Sequence, residues 1–335
     1  MIKKILIVGA GSAGKRHLDI AKNLFPNAVI ALLTNRTNID SVLNPDFHFV
    51  NVTDAISFQP DIAVISGPSS SRMEISTLLA SSGTHLLIEK PISNSMEGVL
   101  NLVKISQDKK SILAVGYNLR FNESLMTFRD HINSQIIGKP LLINCEVGQF
   151  LPSWRENIDY RETVSANRKL GGGVLLELSH EIDYLGWIFG SINWVRATVM
   201  KQSSLEIDVE DSAFLTLGIE NRNNPKLVAN LTMDFIRQDK RRNCVVVGDK
   251  GTLKWDGVNQ EVALLEKDET IWKILFKANS PINDSYLKEW NDFVECINSG
   301  NSPKANGLDG IHALEVIESA LESAPTGTQI QVNRS

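Results

Sequence analysis

The chain has 335 residues, room for about two domains at ~150 residues each, and its 42% hydrophobic and 22% charged content excludes a disordered chain. Thirty-four basic residues stand against 39 acidic ones, a net charge of −5, and the absence of a basic stripe argues against nucleic acid as a partner. No window approaches about 18 uninterrupted apolar residues, so no membrane span is expected, and three scattered cysteines without a CxxC fit a reducing, cytoplasmic setting.

The first eight residues, MIKKILIV, briefly resemble a signal peptide, but glycines interrupt the run and charge returns at Lys15 and Arg16. Short apolar runs follow at 5–8, 28–33, 47–50, 62–65, 85–88 and 112–115. Four to six residues of Ile, Val and Leu are what strands buried on both faces of a parallel sheet require. Helical spacing over 14–24, 71–82 and 95–107 separates several of them, which predicts βαβ units.

Beyond about residue 120 the rhythm changes. A polar, aromatic stretch (150–167) leads into Gly171-Gly172-Gly173 and an apolar helix expected at 174–188. Period-two runs at 195–201, 213–219, 226–235, 243–247, 252–255, 262–266 and 271–276 predict an antiparallel sheet. Two helices close the chain. One places Tyr286, Trp290, Phe293 and Ile297 on a single face and ends at Gly300; the other is expected over 308–323. The expected class is therefore α/β, with a doubly wound parallel sheet in a domain over 1–120. An α+β domain with a large open, mostly antiparallel sheet follows over 121–335.

Chemistry concentrates in three places. Gly9-Ala10-Gly11-Ser12-Ala13-Gly14 is a G-x-G-x-x-G between a strand and a helix. Gly9 permits the tight turn, Gly11 lets the backbone approach a pyrophosphate, Gly14 allows close helix–strand packing, and the helix start attracts the phosphates. At the end of the second strand, Thr34-Asn35-Arg36 lacks the acidic residue that binds a ribose 2′-hydroxyl. Arg36 and Thr34 suit a 2′-phosphate, which favours NADP(H) over NAD(H); the alternative is a solvated Arg36, with Asn35 serving NAD.

Lys90 follows the fifth strand, at the carboxyl end where ligands of open α/β sheets sit, and Pro91 biases it toward an extended backbone. Glu177, His180, Glu181 and Asp183 form the third cluster. On one continuous helix Glu177 and His180 share a face, and histidine suits proton transfer near neutral pH; a structural histidine satisfied by local carboxylates is the alternative. His17, His48, His85, His131 and His312 have no comparable acidic neighbourhood in the sequence. Neither HExxH nor a paired metal spacing occurs, so no catalytic metal is expected.

These residues resemble the Gfo/Idh/MocA oxidoreductase family. The resemblance rests on the glycine motif with His17, on Glu89-Lys90-Pro91, on 116–121, on Gly171-Gly172-Gly173 with Glu177 and His180, on Val209-Glu210-Asp211 and on 248–253. It implies a Rossmann domain, an open sheet that forms a homo-oligomer (a dimer or tetramer), and hydride transfer between a nicotinamide and a hydroxyl carbon of a sugar, nucleotide sugar or cyclitol. Lys90 then matches the active-site lysine and His180 the acid/base. Gly9, Gly11, Ser12, Ala13, Gly14, Thr34, Asn35, Arg36, Ser66, Gly67, Glu89 and Lys90 face the cofactor. Asn118, Arg120, Trp154, Arg155, Glu177 and Asp183 are the substrate-side candidates. The Leu-Ser-His-Glu-Ile-Asp-Tyr string resembles members associated with surface-polysaccharide sugars.

The chain departs from the family twice. Glu177 lies three residues before His180, where the family usually has Asp four before. Ser66-Gly67-Pro68-Ser69…Arg72 stands in place of Thr-Pro-Asn…His. A dinucleotide-binding sensor without catalysis is the competing reading of the same fold.

Overall fold

The computed structural model describes residues 2–36, 44–155, 158–279, 281 and 283–333. The chain forms two compact units: Met1–Tyr117 with Tyr286–Leu314, and Asn118–Ser285 with Glu315–Ser335. A single cut at 120 therefore leaves out a return of the chain to the first unit.

Six parallel strands build that first unit: β1 (Lys4–Val8), β2 (Val29–Leu33), β3 (Phe47–Phe49), β4 (Ile62–Ile65), β5 (His85–Glu89) and β6 (Leu113–Gly116). Their order is β3-β2-β1-β4-β5-β6, so the winding reverses between β1 and β4. All six apolar runs are strands, and β4 and β6 are buried at every position, as a sheet covered on both faces demands. The connecting helices are α1 (Ser12–Leu24), α2 (Val52–Ser57), α3 (Arg72–Ser81) and α4 (Val99–Lys109). α2 has no counterpart in the sequence reading; Asn51 caps it by accepting the Asp54 N–H.

The returning segment is α8 (Asp284–Ser299) and the first half of α9 (Gly307–Ser323). Trp290 and Phe293 of α8 are fully buried in one core with Ile5, Ile7, Leu18, Ala21, Ile30 and Val64. Burial of a side chain such as Phe293 contributes roughly 1.5–3 kcal/mol, which is why α8 belongs to this sheet. Gly300 (φ +75°) ends the helix in the left-handed conformation, as expected.

The second unit centres on a nine-stranded sheet, β14-β13-β12-β11-β7-β10-β9-β8-β15. Its strands are β7 (Pro140–Gly148), β8 (Ile192–Met200), β9 (Ser212–Ile219), β10 (Leu227–Asp234), β11 (Arg241–Gly248), β12 (Gly251–Asp256), β13 (Glu261–Glu266), β14 (Lys273–Lys277) and β15 (Ile330–Gln331). Each period-two run is a strand. The central β7 and the short β15 are additions, and the β7–β10 pair runs parallel, so the sheet is mixed rather than purely antiparallel. One face packs on α5 (Glu123–Asn133) and α7 (His180–Phe189). There Tyr184 meets Trp255 edge-on and the Trp255 indole N–H donates to Ser124 Oγ at 2.8 Å. The other face carries Thr198, Phe214, Thr232, Glu146 and Asn243 in one row across five strands, each at least partly exposed.

The helix expected over 174–188 is two helices. α6 (Val174–Glu177) stops, Leu178 and Ser179 turn, and α7 starts at His180. Glu177 and His180 thus do not share the face of one continuous helix.

Candidate active site in two parts

In the first unit, the glycine motif behaves as its spacing requires. Gly9 sits at φ +99°, and a Cβ there would meet the Gly67 backbone nitrogen at 2.8 Å. A Cβ on Gly14 would lie 1.9 Å from the Gly9 carbonyl oxygen, so only glycine lets α1 start this close to β1. Gly11 has open space where a Cβ would stand, and α1 begins there with no side-chain cap and no acidic residue in its first turn. Its N–H groups at Ser12, Ala13 and Gly14 are therefore offered to an anion. A diphosphate fits this cradle.

Ser66 Oγ donates to the Val8 carbonyl at 2.8 Å, tying the ends of β1 and β4 at the switch point. Arg36 is exposed, but its Nη1 lies 3.5 Å from the Ala10 carbonyl, beside the glycine turn. Thr34 Oγ1 accepts the Arg36 backbone N–H at 3.3 Å, and the exposed Asn35 lies between them. Lys90 is half-buried at the carboxyl end of β5, and its peptide bond to Pro91 is cis.

Glu89, expected to face the cofactor, engages its carboxylate with groups of the protein itself. Oε1 meets His17 Nε2 at 3.0 Å and Oε2 accepts the Lys90 backbone N–H at 3.2 Å. The Trp290 indole N–H, which can only donate, reaches His17 Nδ1 at 2.9 Å. Nδ1 is therefore the acceptor, and Nε2 carries the proton given to Glu89. Burial pushes the Glu89 carboxyl up, but the hydrogen bond from His17 and the charges of Lys90 and Arg72 prevail and hold it at about 2. His17 thus has an acidic neighbour after all. The two are 72 positions apart, so no local pattern announces the pair.

Glu289 of α8, also absent from the sequence reading, is 3% exposed, with no hydrogen-bond partner for either oxygen among the described residues. Burial, then the charges of Glu89 and Asp292, push its carboxyl well up against the opposing pull of Arg16.

In the second unit, His180 is 8% exposed at the first position of α7. The acids around it are engaged. Arg120 donates from Nη2 to Asp183 Oδ1 at 2.7 Å and from Nε to Oδ2 at 3.1 Å, with both side chains at most 5% exposed. The geometry gives these two substrate-side candidates to one another. Glu181 is fully buried and accepts from Arg242 Nε at 2.8 Å. Glu177 Oε2 accepts from Ser165 Oγ at 2.8 Å. Asn118 is buried and donates to Ser285 Oγ, and the Trp154 indole N–H donates to the Gln149 carbonyl. Arg155 lines a shallow recess with Trp154 and Tyr160; its neighbours 156 and 157 lie outside the described residues.

The three glycines are explained locally. A Cβ on Gly172 would meet the Val164 carbonyl at 2.2 Å, and one on Gly173 (φ +112°) would meet Glu210 Oε1 at 2.3 Å. Glu210 in turn accepts the Leu175 N–H at the start of α6. Asp211 accepts from Gln202 N, Ser203 N, Ser203 Oγ and Ser212 Oγ, closing the β8–β9 loop.

Among the described residues no group of three or more His, Cys, Asp or Glu is placed to hold a metal ion. No helix there is long and apolar enough to cross a membrane.

Comparison with known proteins agrees with this architecture. Residues 3–117 match the family profile for an oxidoreductase NAD-binding Rossmann fold. Residues 129–332 match that for the oxidoreductase family C-terminal alpha/beta domain. An uncharacterized oxidoreductase, YrbE, of Bacillus subtilis is 24% identical over 350 residues, covering 100% of this chain and 98% of that protein. Inositol 2-dehydrogenase 2 of Paenarthrobacter aurescens is 23% identical over 362 residues, covering 99% of each. Two solved structures share the fold. Levoglucosan dehydrogenase in complex with NADH has a TM-score of 0.86 at 16% identity, covering 99% of this chain and 100% of that one. The WlbA dehydrogenase from Bordetella pertussis, in complex with NADH and UDP-GlcNAcA, has a TM-score of 0.82 at 19% identity, covering 100% of both. With both domains matched in order along nearly its whole length, the chain belongs to the Gfo/Idh/MocA oxidoreductase family.

Proposed function

We propose that the protein exchanges a hydride between a nicotinamide dinucleotide and a hydroxyl-bearing carbon of a sugar, nucleotide sugar or cyclitol. The observation that carries this reading is a lysine directly after β5, at the carboxyl edge of a sheet whose switch point holds an uncapped glycine turn. Gly9 to Gly14, Ser66 and Gly67 are the residues that would hold the dinucleotide. When bound, its nicotinamide supplies the hydride acceptor or donor. Lys90 donates a hydrogen bond to the substrate oxygen and stabilises its developing negative charge. His180 takes the hydroxyl proton in oxidation and returns it in reduction. Relatives named for inositols, and fold neighbours solved with levoglucosan or a UDP-sugar, support the polyhydroxyl class. A place in surface-polysaccharide sugar biosynthesis is the narrower form of this reading, supported by the 178–184 string.

The preferred cofactor in this reading is NADP(H), because Arg36 lies beside the glycine turn with no carboxylate in Thr34-Asn35-Arg36. A tenfold or greater preference for NADH in kcat/KM removes that preference. The open face of the nine-stranded sheet is the proposed homo-oligomer surface; sedimentation showing a monomer removes it.

The principal test follows nicotinamide absorbance against a panel of inositols, aldoses and UDP-sugars. Lys90→Ala and His180→Ala are each expected to lower kcat by about 100- to 10,000-fold. Retained turnover in both variants eliminates the catalytic assignment.

A further inference from the structure

Arg72, which stands where the family has histidine, does not contact the solvent as a loop cation would. It opens α3 at 7% exposure. Its Nε donates to the Gly67 carbonyl at 2.9 Å, and its Nη1 donates to the carbonyls of both Glu89 and Pro91. Those last two carbonyls bracket Lys90. The Lys90 backbone N–H is held as well, by Glu89 Oε2, and Glu89 is itself fixed by His17 and Trp290. The peptide group before Lys90 and the one after Pro91 are thus anchored, directly or through Glu89, by side chains from α1, α3, β5 and α8.

Burying a guanidinium is expensive unless its donors are matched. Here Nε and Nη1 are spent on the switch-point residue Gly67 and on the residues flanking the lysine. A planar fork with several fixed donors can bridge three carbonyls; an ammonium, a point charge on a flexible stem, cannot hold the same geometry.

We infer that Arg72 is a positioning residue: it fixes the Lys90 backbone against the end of β4 and thereby aims the lysine side chain. The inference rests on the proposed role of Lys90. It assigns to Arg72 no contact with substrate.

The test uses the full chain and two variants. Arg72→Ala removes the fork and leaves a cavity. Arg72→Lys keeps the charge and most of the volume without the fork, so it remains informative should the alanine variant misfold. Both are expected to lower kcat by about 10- to 100-fold, the scale of a displaced catalytic group, with KM and NADPH affinity within about threefold of wild type. Added guanidinium ion is expected to restore part of the kcat of Arg72→Ala saturably, and to leave Lys90→Ala unchanged. A readout independent of turnover is amide hydrogen exchange. Exchange should accelerate in the peptide spanning 85–95 and stay at the wild-type rate in β1 and β2. A wild-type kcat in Arg72→Lys, or a loss of NADPH affinity that accounts for the whole effect, overturns the inference. Unchanged exchange over 85–95 in both variants also overturns it. If the wild-type protein turns over no substrate in the panel, the proposed function fails first, while the exchange arm still decides whether Arg72 anchors the Lys90 segment.

Discussion

Replacing Glu89 by Gln probes the charge network beneath Lys90. Gln preserves the shape and an acceptor for His17 Nε2–H but removes the negative charge. In the folded protein Glu89 is held at about 2, against an ordinary value of 4.5. The unfolded chain therefore takes up its proton first as the pH falls. The stabilisation is complete above 4.5 and is lost between 4.5 and about 2. At about 1.4 kcal/mol per decade, that interval corresponds to about 3 kcal/mol. Urea unfolding of wild type and Glu89→Gln across pH 7 to 3, followed by tryptophan fluorescence, measures it. The variant should be less stable at pH 7 by up to about 3 kcal/mol, and the difference should shrink steadily below pH 4.5. A difference that stays constant or grows as the pH falls would refute the charge argument.

Three further outcomes follow from the geometry. Gly14→Ala places a Cβ 1.9 Å from the Gly9 carbonyl oxygen, so the turn must open. Nucleotide titration should show at least about tenfold weaker binding, the scale of losing one hydrogen bond to a charged group. Arg120→Leu removes the guanidinium that grips the buried Asp183 carboxylate; it should destabilise by about 3–5 kcal/mol in thermal unfolding, and adding Asp183→Leu should recover much of the loss. Glu289→Gln acts with the opposite sign to Glu89→Gln. A carboxyl pushed up by burial and by Glu89 loses its proton first in the unfolded chain, so wild-type stability falls as the pH rises above 4.5. The variant should melt at the wild-type temperature near pH 4 and higher than wild type at pH 8; equal melting at both values contradicts a buried neutral acid.

The elements legible in the sequence are those with a strong local period. Apolar blocks marked β1 to β6, and alternation marked β8 to β14. The strand β7 alternates too, with Ile143, Cys145 and Val147 inward, but Leu141 and Leu142 break the pattern at its start and both are exposed. The break between α6 and α7 has no glycine or proline to announce it, because the apolar sequence runs on through Leu178 and Ile182. The glycine turn was legible because its steric demands are local: Gly9, Gly11 and Gly14 answer to one another and to the adjacent strand. The networks around the candidate residues were not. His17 with Glu89 and Trp290, Arg120 with Asp183, and Glu181 with Arg242 join positions 61 to 273 residues apart. Pairing of this kind is a property of the folded topology, and it withdraws from the solvent the very charges that composition alone marks as reactive.

The return of α8 to the first sheet has a consequence for biosynthesis. Trp290 and Phe293 complete a core whose other members lie within the first 114 residues. A nascent chain emerging at about 5–20 residues per second must therefore wait roughly ten seconds or more between making its nucleotide-binding strands and making the helix that seals them. During that interval the apolar flank of β1 and α1 is without its cover, and the emerging polypeptide presents to chaperones a half-built domain while the other is being translated.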